Sequence, residues 1–204
     1  LSTYEQFCYV DSLRESSKLH KADDKWSEFL VSSEPEWWRL GISISDDLEA
    51  QDIKRSRKIE ALNQTHSPLF VKALANEYID DEDIQELTKL SLYVLEVDNQ
   101  GDMSAELGYL MSGVLPHQSE QLLKNANRWS PYDVDTALIA QLAFVSDKNG
   151  NKAQSEDIYR QTIDNVDMEN DVLDFMQTSH RDLLYGWKFS VAGWIGESLS
   201  LIHI

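Results

Sequence analysis

The chain has 204 residues, of which 42% are hydrophobic and 10% aromatic, and this argues against intrinsic disorder. Its 36 acidic and 18 basic residues give a formal net charge of −18, which opposes the phosphates of nucleic acids and anionic membrane surfaces. Nucleic acid is therefore not an expected partner, and the scarcity of glycine (8) and proline (4) favours an all-α protein.

The cysteine content and the hydropathy pattern argue against two further classes of protein, those with intrachain disulfides and those that span a membrane. A single cysteine, Cys8, excludes an intrachain disulfide. No 18 consecutive residues are apolar, so we expect no complete membrane span. The compartment stays open: we expect a soluble chain, cytoplasmic or exported with its signal peptide absent from this sequence, which begins at Leu1.

The sequence predicts an N-terminal helical region at residues 1–66, in which the helices are irregularly spaced. Ser2 or Thr3 is suited to cap a first helix, because a side-chain oxygen accepts from the free N–H groups of a first turn. Asp23 or Asp24 is expected to cap a second helix in the same way.

Two further elements are predicted before residue 67. The alternation of Ile and Ser over residues 42–45 predicts a short extended segment, and a longer helix is expected from Asp46 to about Leu62. The basic run at residues 54–58 is expected to pair with surrounding acids. At least one tryptophan of the pair at residues 37–38 is expected in the core.

From Ser67 the pattern becomes regular. Ser67-Pro68 is a strong helix start, because proline at the first helical position loses no hydrogen bond, and Ser130-Pro131 repeats it. The apolar periodicity predicts helices at about 68–78, 81–97, 103–114, 117–128, 131–148, 151–166, 169–183 and 185–197. Their connections are short, so neighbouring helices are expected to be antiparallel.

Two of these helices have nearly the same spacing of apolar and small residues. They contain Val71-x-x-Leu74-Ala75-x-x-Tyr78 and Ile139-x-x-Leu142-Ala143-x-x-Ser146, and the second pattern starts two periods of about 34 residues after the first. In the best unit, residues 136–169, Gly150 closes the turn and Tyr159 is the second-helix aromatic residue. Residues 68–197 thereby resemble the tetratricopeptide repeat. The sequence departs from that pattern at Ser146, Leu87 and Ser155, and the closing proline is missing after Ile163.

The expected fold is all-α: antiparallel helical hairpins stacked as a short, tetratricopeptide-like α-solenoid at residues 67–198, preceded by the helical region at 1–66. Residues 199–204 are similar to the translation of a transposon-end sequencing adapter and are expected to be a non-native tail.

The resemblance implies a concave groove lined by side chains of the first helix of each hairpin. The candidate groove residues are Lys72, Asn76, Glu106, Leu110, Ala140, Phe144 and Asp147. Lys72 and Asn76 are similar to half of a carboxylate clamp, but the later positions supply no further cation or amide. We therefore expect a mixed apolar and polar groove, not a full clamp.

No pattern predicts catalysis, a cofactor or a metal. The segment at residues 147–151 has alternating oxygen ligands, but Lys152 and Ile158 stand where a calcium loop needs glycine and a bidentate acid. The acidic run at residues 80–83 is explained as a helix start, where negative charge is favourable.

The resulting hypothesis is a non-enzymatic module that binds a protein or a peptide, with its oligomeric state open. Two alternatives remain. The net charge also suits an acidic inhibitor or immunity-type protein that masks a basic partner. The unusual ends also suit an N-terminal fragment of a larger enzyme or membrane sensor.

Overall fold

The computed structural model describes residues 1–129 and 136–165. Within these ranges the secondary structure consists of α-helices without strands. The helices are α1 (Thr3–Glu15), α2 (Leu19–Phe29), α3 (Pro35–Asp47), α4 (Gln51–Thr65), α5 (Pro68–Asp80), α6 (Ile84–Val97), α7 (Asp102–Met111), α8 (Pro116–Trp129), α9 (Thr136–Lys148) and α10 (Lys152–Asn165). The predicted all-α fold of stacked antiparallel hairpins is confirmed.

Several predicted elements lie beyond the described ranges. These are the helix start at Ser130-Pro131, the helices at 169–183 and 185–197, and the tail at 199–204. In residues 1–129 and 136–165, no helix combines the length and the apolar character needed to cross a bilayer.

Three helices begin at capping residues that the sequence predicted, Ser2, Ser67 and Asp83. Ser2 accepts from the Glu5 N–H at 3.3 Å while the Glu5 carboxylate accepts from the Ser2 N–H at 2.7 Å, which forms a capping box. Ser67 caps α5 with Pro68 at the first helical position, and Asp83 caps α6. Within the acidic run at residues 80–83, Asp83 is thus at the predicted helix start, whereas Asp80 is the last residue of α5.

Three predictions for the N-terminal region are wrong. Residues 42–45 are not extended but lie inside α3, where Ile44 and Ser45 are buried. No helix runs from Asp46 to Leu62, because α3 continues to Asp47 and α4 begins only at Gln51. Neither Asp23 nor Asp24 caps a helix, because both lie inside α2, which begins at Leu19. The buried face of α3 decides its helical conformation, and four alternating residues were too short a pattern to reveal that face.

One turn geometry recurs between paired helices. Ser17, Glu49, Glu82 and Gly150 each have a positive φ, at 59°, 57°, 56° and 82°. In every case the N–H of the following residue donates to a carbonyl five positions earlier, the pattern of a Schellman motif. The bonds are Lys18 to Leu13 (3.0 Å), Ala50 to Ser45 (2.9 Å), Asp83 to Tyr78 (2.8 Å) and Asn151 to Ser146 (2.9 Å).

The recurring turn also occurs before residue 67. It closes the hairpins α1–α2 and α3–α4 as well as α5–α6 and α9–α10, and the first three turns follow one another at nearly equal intervals along the chain. The predicted division into residues 1–66 and 67–198 stays a prediction.

Glutamate at a left-handed position is a source of strain. Because a Cβ atom disfavours this conformation, we expect Glu82→Gly to raise the free energy of unfolding by about 0.5–1 kcal/mol. The measurement is urea unfolding at neutral pH. Glu82→Gln is the control for lost charge, and a Gly variant no more stable than the Gln variant would contradict the expectation.

The chain divides into two compact units, Leu1–Leu107 and Gly108–Ile204. In the first unit each helix from α1 to α6 packs against the next. Trp37 and Trp38 are both buried, which confirms the expectation for that pair. Their rings meet Phe7 and Trp26 edge-on, with centroids 5.4 and 5.6 Å apart.

Arg57 joins α2, α3 and α4 from a buried position on α4. Its guanidinium donates to the Gly41 carbonyl and the Ser45 hydroxyl, both at 2.6 Å, and to the Asp23 carboxylate at 2.5 Å. It also lies 4.1 Å from the centroid of the Trp26 ring. The buried guanidinium is therefore paired with one carboxylate, two neutral acceptors and one aromatic ring.

The other cations of the basic run also pair with acids, as predicted. Lys54 pairs with Asp46 at 2.5 Å, and both Arg55 and Lys58 pair with Glu77 on α5. Burial raises the pKa of Glu77, but the hydrogen bonds from Lys58 and Arg55 outweigh burial, so the net pKa lies below its usual value.

In the second unit α9 packs against both α8 and α10. The carboxylate of Glu120, on α8, is buried and accepts from Ser146 at 3.2 Å and Asn149 at 2.5 Å, both on the α9 side of the contact. Lys124 pairs with the same carboxylate at 2.7 Å. Asn149 belongs to the segment at residues 147–151 that fails the calcium-loop pattern. In the structure its amide instead holds the Glu120 carboxylate by a hydrogen bond.

We expect the contribution of Glu120 to stability to disappear in acid. Burial raises its pKa, but the hydrogen bonds from Lys124, Asn149 and Ser146 prevail and leave the net pKa below the usual 4.5. A lowered folded-state pKa means that the contribution is complete above about pH 4.5 and is lost as pH falls through the folded-state pKa.

The test compares urea unfolding of the wild type and Glu120→Gln at pH 7 and pH 3. The variant is expected to cost about 1–2 kcal/mol at pH 7, and the gap is expected to shrink at pH 3. Glu60→Gln, on the exposed side of α4, is the control. A gap for Glu120→Gln that is independent of pH would refute the expectation.

Candidate functional site

Helix α5 is enclosed except along one strip. Its buried side chains pack between neighbouring helices α4 and α6; they are Phe70, Val71, Leu74, Ala75 and Tyr78. Leu69, Lys72 and Asn76, spaced by three and four residues, share the remaining face and are exposed. This face combines one aliphatic, one cationic and one amide side chain, and it ends at the exposed carboxylate of Asp80, four residues after Asn76.

Glu106 reaches the same face from α7. Its carboxylate lies 2.8 Å from the Lys72 ammonium, with the two side chains 32% and 48% exposed. The structure thus brings together Lys72, Asn76 and Glu106 among the predicted groove residues. Lys72 and Glu106 thus form a solvated ion pair across α5 and α7.

The remaining predicted groove residues belong to the second unit. Leu110 is half-buried, and Asp147 is exposed. Phe144 is half-buried, with the Lys148 ammonium 4.9 Å from its ring centroid. Ala140 lies on α9, but its side chain is outside the described part. The single groove predicted from all seven residues stays a prediction.

The α5 strip has a counterpart on α3 that the sequence pattern did not reveal. Aligning the hairpins on their turn residues Glu49 and Glu82 places Glu36, Arg39 and Ser43 where α5 has Leu69, Lys72 and Asn76. Glu36 and Arg39 are exposed and form an ion pair at 3.1 Å. We call these six residues the first-helix strip.

The strip continues towards α1 through a hydrogen-bonded link. Arg14 of α1 donates to the Ser43 hydroxyl and to the Asp47 carboxylate, each at 3.2 Å. Hydrogen bonds to Asp11 and Asp47 raise the pKa of Arg14 despite partial burial, so the group stays charged. The correspondence between α3 and α5 becomes visible when the two hairpins are aligned on their turns. A glycine at position 49 would have indicated the first of these turns in the sequence, but the residue there is glutamate.

The described residues contain no group of three or more His, Cys, Asp or Glu side chains arranged to hold a metal ion. The side chains of the first-helix strip are exposed or half-buried, and its ion pairs are solvated.

Comparisons with known proteins concern the fold. No family model matches the chain, and no curated protein matches it. YrrB, described as a TPR (tetratricopeptide-repeat) protein with an unusual peptide-binding site, is similar in structure, with 11% identity, a TM-score of 0.47, and coverage of 78% of this chain and 84% of its own. The C-terminal part of a TPR repeat-containing protein from Cytophaga hutchinsonii has 11% identity, a TM-score of 0.45, and coverage of 78% and 64%.

Proposed function

We propose that the chain is a non-enzymatic module that binds a protein or peptide segment along the first-helix strip. The observation that supports this is the packing of α5 between α4 and α6, which leaves Leu69, Lys72 and Asn76 exposed along one face, with Asp80 at its end. A helix held on both sides by neighbours presents such side chains on a rigid support, which lowers the entropic cost of binding.

The chemistry of the strip suits an extended polypeptide. The Asn76 amide is both a donor and an acceptor, which matches the N–H and C=O of a peptide backbone. Leu69 offers an apolar contact, and it is 42% exposed. The exposed Lys72–Glu106 and Arg39–Glu36 pairs are weakly held and can exchange partners with a polar ligand at little cost.

Selection from a displayed library of random peptides tests the proposal with the full chain. Peptides that enrich are expected to bind Leu69→Ala and Asn76→Ala about tenfold more weakly than the wild type. The matched control is Gln85→Ala, an exposed residue on α6 outside the strip. Peptides that bind all these variants equally would refute the assignment of the strip.

A further inference from the structure

Asn149 is followed by a glycine, and the dipeptide Asn149-Gly150 occurs once in the chain. Asparagine before glycine is the context that most favours spontaneous deamidation, because a residue without Cβ leaves its backbone nitrogen open to the preceding side chain. In the structure, Asn149 directly follows the end of α9, and Gly150 forms the turn with a φ of 82°. A chemically reactive pair therefore lies at the end of a packed helix.

The fold holds both groups that would react. The Asn149 amide nitrogen donates to the Glu120 carboxylate at 2.5 Å and to the Pro116 carbonyl at 3.2 Å, both on α8. The Gly150 N–H donates to the Asp147 carbonyl at 2.9 Å. Ring closure needs the side chain released from α8 and the Gly150 nitrogen released from its hydrogen bond. The closed contact between α8 and α9 is therefore expected to protect Asn149.

We propose that Asn149 is a site of spontaneous modification that is controlled by its contact with Glu120. When the contact opens, the Gly150 nitrogen attacks the side-chain carbonyl carbon of Asn149. The new C–N bond closes a succinimide ring, the bond to the amide nitrogen breaks, and that nitrogen leaves as ammonia with the proton from Gly150. Solvent water then opens the ring at either carbonyl, which gives aspartate or isoaspartate and releases a proton.

The product cannot restore the contact. An oxygen replaces the nitrogen that donated to Glu120, so two carboxylates would meet where Glu120 is only 6% exposed. The other side-chain oxygen, Asn149 Oδ1, is buried and accepts no hydrogen bond from any residue in the described ranges. Isoaspartate also lengthens the backbone of the turn by one methylene. Modification therefore converts a transient opening between α8 and α9 into a lasting one.

Ageing of the full chain in mildly alkaline buffer tests the proposal. Peptide mapping by mass spectrometry separates the asparagine, aspartate and isoaspartate forms of residue 149 at each time. Conversion of Asn149 in the folded wild type is expected to be about tenfold slower than in the same chain in urea, because the reaction must wait for the contact to open. Equal rates in buffer and in urea would overturn the protective role of the contact.

Variants of α8 test whether Glu120 controls the rate. Glu120→Ala removes the acceptor and is expected to speed conversion of Asn149 about tenfold. Glu120→Gln keeps a carbonyl that accepts from the Asn149 amide, so a smaller increase is expected. Glu156→Ala, which changes an exposed acid on α10, is the matched control and should convert at the wild-type rate. Conversion that is no faster in Glu120→Ala than in the wild type would overturn the proposal.

The aspartate product can also be made directly. Asn149→Asp is expected to unfold at a lower urea concentration than the wild type. Combined with Glu120→Gln, it should lose less stability than the two single losses added together, because the introduced amide can donate to the new carboxylate with the roles of the two positions reversed. Strict additivity would contradict repulsion between the two carboxylates as the cause of the lasting opening. These positions share no residue with the first-helix strip, so failure here leaves the proposed function untouched.

Discussion

Arg57→Ala is expected to lower the free energy of unfolding by about 3–5 kcal/mol. The substitution leaves the buried Ser45 hydroxyl and the half-buried Asp23 carboxylate without their cation, and it removes the stacking on Trp26. A half-buried carboxylate that loses its partner recovers only part of its hydration, so removing the cation costs more than the pair contributed. Urea unfolding followed by circular dichroism measures the loss.

Arg39→Ala is the matched control for Arg57. Arg39 lies on α3 with its side chain 58% exposed, and its pair with Glu36 is solvated, so the expected cost is below about 0.5 kcal/mol. Arg57→Met keeps the aliphatic volume but not the hydrogen bonds, and we expect an intermediate loss. Equal costs for Arg57→Ala and Arg39→Ala would show that the buried network contributes nothing.

The helical fold was predictable from the sequence because the signals that specify it are local. Ser67-Pro68 and the acids before Ile84 act within one turn of a helix, and both were interpreted correctly. Helix α3 depends on distant contacts instead. Trp26 on α2 donates to the Trp37 carbonyl at 2.6 Å, and Arg57 on α4 reaches Gly41. The four residues 42–45, taken alone, do not indicate these contacts with α2 and α4.

The candidate site was predictable only in part, for a similar reason. The α5 strip follows from the helical spacing of Lys72 and Asn76. Its counterpart on α3 depends on a left-handed turn formed by Glu49, and glutamate gives no signal for that conformation. The pairing of Asp23 with Arg57 joins residues 34 positions apart, so it needed the packing of α2 against α3 and α4.

Gly41→Ala is expected to lower the free energy of unfolding by about 2–4 kcal/mol. Gly41 lies inside α3, where alanine would ordinarily gain about 1 kcal/mol from helix propensity. An added Cβ, however, would overlap the Trp26 indole, which is 5% exposed and fixed by its hydrogen bond to the Trp37 carbonyl. Displacing the indole also disturbs its stacking with Arg57, so overpacking outweighs propensity.

Gly113→Ala separates this clash from a general effect of removing glycine. A Cβ at Gly113 would meet no atom within 4 Å, so we expect a change within about 0.5 kcal/mol. Trp26→Phe supplies the second test, because a smaller ring frees space beside residue 41. The double variant of Gly41→Ala and Trp26→Phe should then lose less stability than the two single losses added together. Strict additivity would mean that the cost of Gly41→Ala arises elsewhere than at the indole.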